Sequence, residues 1–176
     1  MENILSSLAV AVVTSILSII GTLYVQKRMN ENSTKKNALY LYLNLKQTKS
    51  DIDREKQIID GTSWDEIWPM AYFTPFDYIG VLSELKDKLS EQEMLDINYF
   101  YESVKKLDNK KMNYINWYNL YDNFLKTNPP QLFNPYCQPY LEGQTAFLHA
   151  LNVFVNSEEY KESIVKIILK LEYMKK

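Results

Sequence analysis

Glycine, cysteine and histidine are scarce in this sequence. Its 176 residues include four glycines, one cysteine and one histidine. The single cysteine, Cys137, cannot cross-link a secreted domain, so a reducing compartment is favoured. Few glycines and few alternating apolar and polar runs favour helices over strands. A net charge of −2 argues against a protein that coats nucleic acids generically, because such a protein would be basic.

The sequence motifs of common enzymes are also missing. It contains no Gly-x-Ser-x-Gly elbow, no Walker A loop and no Gly-x-Gly-x-x-Gly turn. Its carboxylates lack the clustered pattern that a metal site needs. The one histidine, His149, lies in the apolar context FLHALNVF, and we interpret it as a packed structural residue. We therefore expect no enzymatic activity, no cofactor and no metal site.

Charge is absent from one long segment near the N-terminus, Ile4 to Val25. A helix of this length would span about 33 Å, which is enough to cross the hydrocarbon core of a bilayer. The preceding residues, Met1 to Asn3, lack the positive charge of a cleaved signal peptide. We therefore predict a retained transmembrane helix, with residues 1–25 as the anchor.

Positive charge follows this segment directly. Residues 26–60 contain eight Lys or Arg and five Asp or Glu, a net charge of +3. The positive-inside rule then places the N-terminus outside and the C-terminal domain in the cytoplasm. Residues 26–37 form a polar juxtamembrane neck, which is either flexible or a continuation of the helix.

Small residues recur within the predicted span at spacings of four and three. They are Ser7, Ala11, Thr14, Ser18 and Gly21. Small residues let helices approach closely in a bilayer, and a period of 3.5 suits a left-handed bundle. Three interpretations stay open: self-association without a pore, a hydroxyl-lined pore made by several copies, and small residues that any span tolerates because their hydroxyls bond back to the preceding turn.

The remainder, residues 38–176, is predicted to be one all-α domain of five to six helices. A first helix ends near Asp60 with Gly61 as its cap. Helix-start signals follow at Ser63 with Glu66, at Thr74 with Pro75, and at Ser90 with Glu93. The helix that begins at Ser90 either breaks at Asp108 and Asn109 or continues to Leu125. The proline-rich stretch 128–139 predicts a loop, before a helix over about 142–155 and a last helix capped by Ser157.

A basic and aromatic stretch in this domain is a candidate ligand site. Its residues are Lys105, Lys106, Lys110, Lys111, Tyr114 and Trp117. Lysines beside aromatic rings could bind a nucleotide or a short single-stranded oligonucleotide. The alternative, which is the commoner arrangement, is a solvated junction between helices with its rings turned towards the core.

The order of these elements resembles the small transmembrane effectors of bacterial anti-phage systems, and most of all those of the Hailong defence system. The resemblance covers the apolar segment Ile4–Val25 and the non-catalytic helical region behind it. It implies an oligomeric effector in the inner membrane that senses a nucleotide-type signal and compromises the bilayer. We therefore predict a ligand-gated, ion-channel or pore-like homo-oligomer in contact with membrane lipid. The alternative is an anchored helical scaffold that recruits a protein partner.

Overall fold

The computed structural model describes residues 2–61, 72, 77–130 and 132–175, with side chains from Ser18 onward. Within these ranges the chain forms helices and no strand, which confirms the prediction of an all-α fold. The helices are α1 (Glu2–Asp60), α2 (Tyr78–Leu85), α3 (Glu91–Thr127), α4 (Cys137–Asn156) and α5 (Ile164–Met174), and a π-helical turn (Glu159–Ser163) precedes α5.

The first helix, α1, is unbroken over 59 residues. At about 1.5 Å per residue it is about 89 Å long. The predicted neck, residues 26–37, therefore continues the helix. As predicted, α1 ends at Asp60, where the Gly61 N–H donates to the Gln57 carbonyl at 3.0 Å.

The predicted transmembrane span, Ile4–Val25, lies mostly before the first described side chain. Among the residues from Ser18 onward that are described, no helix is long and apolar enough to cross a membrane. The transmembrane part of the fold prediction thus has no support from these residues and stays a prediction.

Local capping fixes the starts of α2 and α3. Asp77 caps α2 by accepting a hydrogen bond from the Gly80 N–H at 2.9 Å. The predicted Ser90–Glu93 capping box is confirmed at the start of α3: the Ser90 hydroxyl accepts from the Glu93 N–H, and the Glu93 carboxylate accepts from the Ser90 N–H. The start signals at 63–66 and 74–75 lie outside the described residues.

The structure decides between the two alternatives for α3 and corrects the predicted start of α4. Helix α3 passes through Asp108 and Asn109 without a break. Helix α4 starts at Cys137, five residues before the predicted start at 142. Pro139 is its third residue, where a helix has no intrahelical partner for the backbone N–H, so this proline does not end the helix.

The helices pack into one bundle, in which α1 lies against α5 and α2 and runs parallel to α3. Tyr101 on α3 donates to the Asn44 side chain at 2.9 Å, and Lys111 donates to Glu55 farther along both helices. Helix α5 runs antiparallel to α1, since Tyr160 just before it reaches Asp53 and Glu172 near its end reaches Tyr42. The core between the helices includes Leu41, Leu45, Ile52, Leu85, Ile97, Phe100, Leu107, Phe147, Leu151 and Ile164.

Candidate functional site

The side of α1 that points away from the bundle exposes several apolar residues, with the exposed Lys36 among them. Ser18, Val25, Met29, Tyr40 and Leu43 are all exposed, and the last four are each more than half exposed. At 3.6 residues per turn these five positions fall within a sector of about 60°. We call these five residues the outward face of α1.

This face is separate from the core face of the same helix. Leu41, Leu45 and Ile52, on the opposite side, are fully buried. Within the described part of the chain, the outward face therefore has nothing packed over it. An apolar stripe along one helix is the feature by which helices associate side by side.

The predicted small-residue seam is described at only two of its five positions. Ser7, Ala11 and Thr14 lie outside the described side chains. Ser18 and Gly21 are exposed, and a Cβ added at Gly21 would meet no atom within 4 Å. The Thr22 hydroxyl donates to the Ser18 carbonyl at 2.9 Å, a back-bond that any transmembrane span could contain. Whether the seam packs helices or lines a pore stays a prediction.

The six residues of the predicted ligand site do not share one surface. They are Lys105, Lys106, Lys110, Lys111, Tyr114 and Trp117. Lys111 and Tyr114 are buried in the bundle, whereas Lys106 and Lys110 are exposed and Trp117 is partly buried. Because α3 is one continuous helix, successive positions are turned by about 100° from each other. Lysines that are adjacent in sequence therefore point in different directions.

Lys105, the remaining lysine, is engaged on its own helix. Its ammonium donates to Glu102 at 2.8 Å and lies 5.5 Å from the centre of the Tyr78 ring. The hydrogen bond between the two side chains raises the pKa of Lys105 and lowers the pKa of Glu102. Lys105 therefore remains protonated at neutral pH beside a carboxylate that offsets its charge.

A buried ion pair joins α1 to α3. The Lys111 ammonium donates to Glu55 Oε2 at 2.6 Å, with the two side chains 2% and 8% exposed. The ammonium also lies 4.1 Å from the centre of the Tyr72 ring. A charge withdrawn from water in this way is tolerated only with a partner. The pair therefore fixes the register of α1 against α3 near the end of α1.

Tyr72, on the segment between α1 and α2, is held at the same place. Its N–H donates to Asp108 Oδ1 at 2.7 Å, and the Thr48 hydroxyl donates to its carbonyl at 3.4 Å. Burial and then the Glu55 carboxylate raise the pKa of the Tyr72 phenol, which therefore stays protonated. Within the described chain, the Tyr72 hydroxyl and Glu55 Oε1 have no hydrogen-bond partner.

We call Thr48, Glu55, Tyr72, Asp108 and Lys111 the buried polar cluster. The sequence analysis missed it, although a signal was present. Glu55 lies between Ile52 and Ile59 in the apolar stripe of α1, where a carboxylate would be buried without water. A charged residue inside an apolar stripe indicates a buried partner, and here that partner is 56 residues away.

Aromatic rings join α3 to α4. Tyr114 stacks on Phe147 with their ring centres 6.1 Å apart, and Tyr121 stacks on Tyr140 at 5.0 Å. The backbones approach closely at Gly143, where an added Cβ would lie 3.3 Å from the Tyr114 Cα. The rings of this stretch thus serve the core, which agrees with the alternative interpretation of the basic and aromatic stretch.

His149 was interpreted as packed, and this was wrong. It is exposed on α4, beside Leu141, Thr145 and Ala146 on a shallow open surface. Its apolar neighbours in sequence, Phe147 and Leu151, lie on another side of the helix and are buried in the core.

Comparison with known proteins gives no relative. No family model matches the chain, and no match was found among curated proteins or solved structures. In the described part of the chain, no group of three or more His, Cys, Asp or Glu side chains could hold a metal ion. The function must therefore be argued from the geometry of α1 and the buried polar cluster.

Proposed function

We propose that this chain is an oligomeric single-pass membrane effector of ion-channel or pore type. One observation carries the proposal: the predicted span and the central helix of the domain belong to the same unbroken helix, α1. A helix without a break transmits a tilt or rotation at one end to the other. The domain can therefore act on the span without any hinge between them.

The bundle holds α1 firmly enough for such transmission. Leu41, Leu45 and Ile52 on α1 are fully buried, and the Lys111–Glu55 pair fixes the far end of α1 to α3. A rearrangement of α3 and α4 on binding a ligand would move α1 with it. In the proposed mechanism, hydroxyls at Ser7, Thr14 and Ser18 line the path and neighbouring apolar residues close it by excluding water.

Assembly would use the outward face of α1. Its apolar residues continue the direction of Ser18 for 25 further residues, to Leu43. Copies that meet along the small-residue seam in the membrane could then remain in contact along the domain. This would make each span-to-span contact part of a longer interface.

The signal that the domain senses is proposed to be a nucleotide or a short oligonucleotide, in the setting of anti-phage defence. Support comes from the resemblance in layout and from the exposed Lys106 and Lys110. Lys111 and Tyr114 are no longer candidates for direct contact, since both are inside the bundle.

The first experiment measures the native mass of the full-length protein in mild detergent. We expect an oligomer of four or more copies for the natural chain and dissociation for Leu43→Glu, which places a charge on the outward face. Leu120→Glu changes an exposed leucine on α3 and is the matched control. A monomeric natural chain, or equal behaviour of both variants, would count against the proposal.

Leakage from dye-loaded vesicles tests the pore itself. Gly21→Leu adds bulk on the seam and is expected to stop leakage, whereas Ile19→Phe adds bulk about 160° away on the helix and should leave it unchanged. Leakage that survives Gly21→Leu would mean that the seam is not the path.

A second candidate, an anchored scaffold, is favoured by the loop between α3 and α4. Leu132 and Phe133 are exposed there, with Phe133 86% exposed, as in a surface that receives a protein partner. Replacing residues 1–25 by an unrelated transmembrane helix separates the two functions. Growth inhibition on expression would persist for a scaffold and would be lost for a pore.

A further inference from the structure

A groove of about 780 Å³ opens at the end of the bundle nearest Val25. One wall is α1 between Leu23 and Lys35. The other wall is formed by Asp87 and Lys88, in the turn between α2 and α3, and by Tyr173 and Met174 at the end of α5. The groove therefore lies where α1 leaves the bundle.

The groove exists because α1 is longer than the helices packed beside it. Asn30 and Thr34 line it, and they fall on the same side of α1 as Leu41 and Leu45, which are fully buried in the core. Towards the N-terminus this side of α1 loses its covering, since α5 and the turn before α3 end there. The result is an open groove along this side of α1.

The lining combines apolar groups with charged groups of both signs, and positive charge is in excess by one: three lysines, Lys27, Lys35 and Lys88, against two carboxylates, Glu31 and Asp87. Leu23 and Tyr173 are exposed, the latter by 80%. Lys27 and Lys88 line the same groove, and neither forms an ion pair within the described chain. Apolar surface next to ammonium groups matches a molecule with a hydrocarbon chain and a phosphate.

We propose that this groove binds the headgroup of an anionic phospholipid from the cytoplasmic leaflet, with the phosphate between Lys27 and Lys88 and the upper acyl chain against Leu23. This rests on the proposed function, because it requires that the span cross the membrane just before the groove. Tyr173 would lie at headgroup level, where aromatic residues are enriched. The lipid would fill the groove and fix the angle between the bundle and the span.

The test titrates phosphatidylglycerol or phosphatidylcholine into the full-length protein in mild detergent and counts bound lipids by native mass spectrometry. The paired change Lys27→Gln and Lys88→Gln should weaken phosphatidylglycerol binding by about fivefold per lysine, or about thirtyfold in all. The control pair, Lys161→Gln and Lys166→Gln, removes two exposed lysines around the start of α5, outside the groove, and should leave binding unchanged.

A second variant separates the groove from general attraction between charges. Asn30→Trp fills the groove without altering charge and should remove the bound lipid, whereas Asn113→Trp on α3 should not. Equal binding of both lipids, or equal loss in the test and control pairs, would overturn the groove assignment. Co-flotation of the protein with vesicles separates the two proposals. If the protein does not float, the proposed function and this inference are overturned together. If it floats but shows no preference for phosphatidylglycerol over phosphatidylcholine, this inference alone is overturned.

Discussion

Replacing Lys111 by methionine should be among the most damaging single changes in the bundle. The ammonium lies 2.6 Å from Glu55 Oε2 and 4.1 Å from the centre of the Tyr72 ring, and the two paired side chains are 2% and 8% exposed. Without Lys111, the Glu55 carboxylate would remain inside the core with no cation beside it. Breaking a buried pair in this way costs about 3–5 kcal/mol of unfolding free energy.

The double change Glu55→Met and Lys111→Met should restore most of that loss. It removes both charges and their desolvation costs, and replacement of a buried pair by apolar residues of similar volume is often neutral or stabilising. The assay is urea unfolding of the full-length protein in mild detergent, followed by circular dichroism at the helical band.

The exposed pair of Lys166 and Glu162 supplies the control. Its side chains are 75% and 61% exposed, so Lys166→Met should cost less than about 1 kcal/mol. A loss of this small size for Lys111→Met would refute the reasoning. So would a double variant as unstable as the single one, because the damage would then come from shape and not from an unpaired charge.

Two further predictions concern the start of α3 and its contact with α4. Burial disfavours ionisation of Glu93, but hydrogen bonds from Lys170 and Ser90 outweigh it and lower its pKa, so Glu93→Gln should cost about 0.5–1 kcal/mol at neutral pH. That cost should shrink as the pH falls through the lowered pKa of Glu93, since the natural carboxyl then becomes protonated too; a difference in melting temperature that does not decrease as the solution is acidified would contradict this. Gly143→Val should lower the free energy of unfolding by about 1–3 kcal/mol, because its side chain would press on the backbone of Tyr114, and unchanged urea unfolding would show that α3 and α4 can separate at little cost.

Features that depend on neighbouring residues could be predicted from the sequence. The end of α1 at Gly61 and the capping box of Ser90 with Glu93 are each set by a few adjacent side chains. The helical period places Leu41, Leu45 and Ile52 on one side of α1, and this is the side that the bundle buries. Signals of this kind act within one or two turns, so the sequence contains them in full.

Features that depend on packing could not be predicted in the same way. A polar stretch such as 26–37 has no apolar stripe, yet it is helical because it continues a helix fixed at its far end by the core. Asp108 has a low helix propensity. It accepts a hydrogen bond from the Tyr72 N–H, which is distant in sequence, and the local sequence does not show this contact. Lys111 was assigned to a ligand because its partner Glu55 is distant in sequence.

The contact between α5 and α1 has a consequence for biosynthesis. The first helix is complete at Asp60, but its core face is closed by residues 160–175, as the bond from Tyr160 to Asp53 shows. At about 5–20 residues per second, a ribosome needs roughly 6–23 s to make the chain in between. Throughout that time Leu41, Leu45 and Ile52 remain without their final neighbours, so a nascent chain that stalls before α5 exposes an apolar stripe to chaperones and proteases.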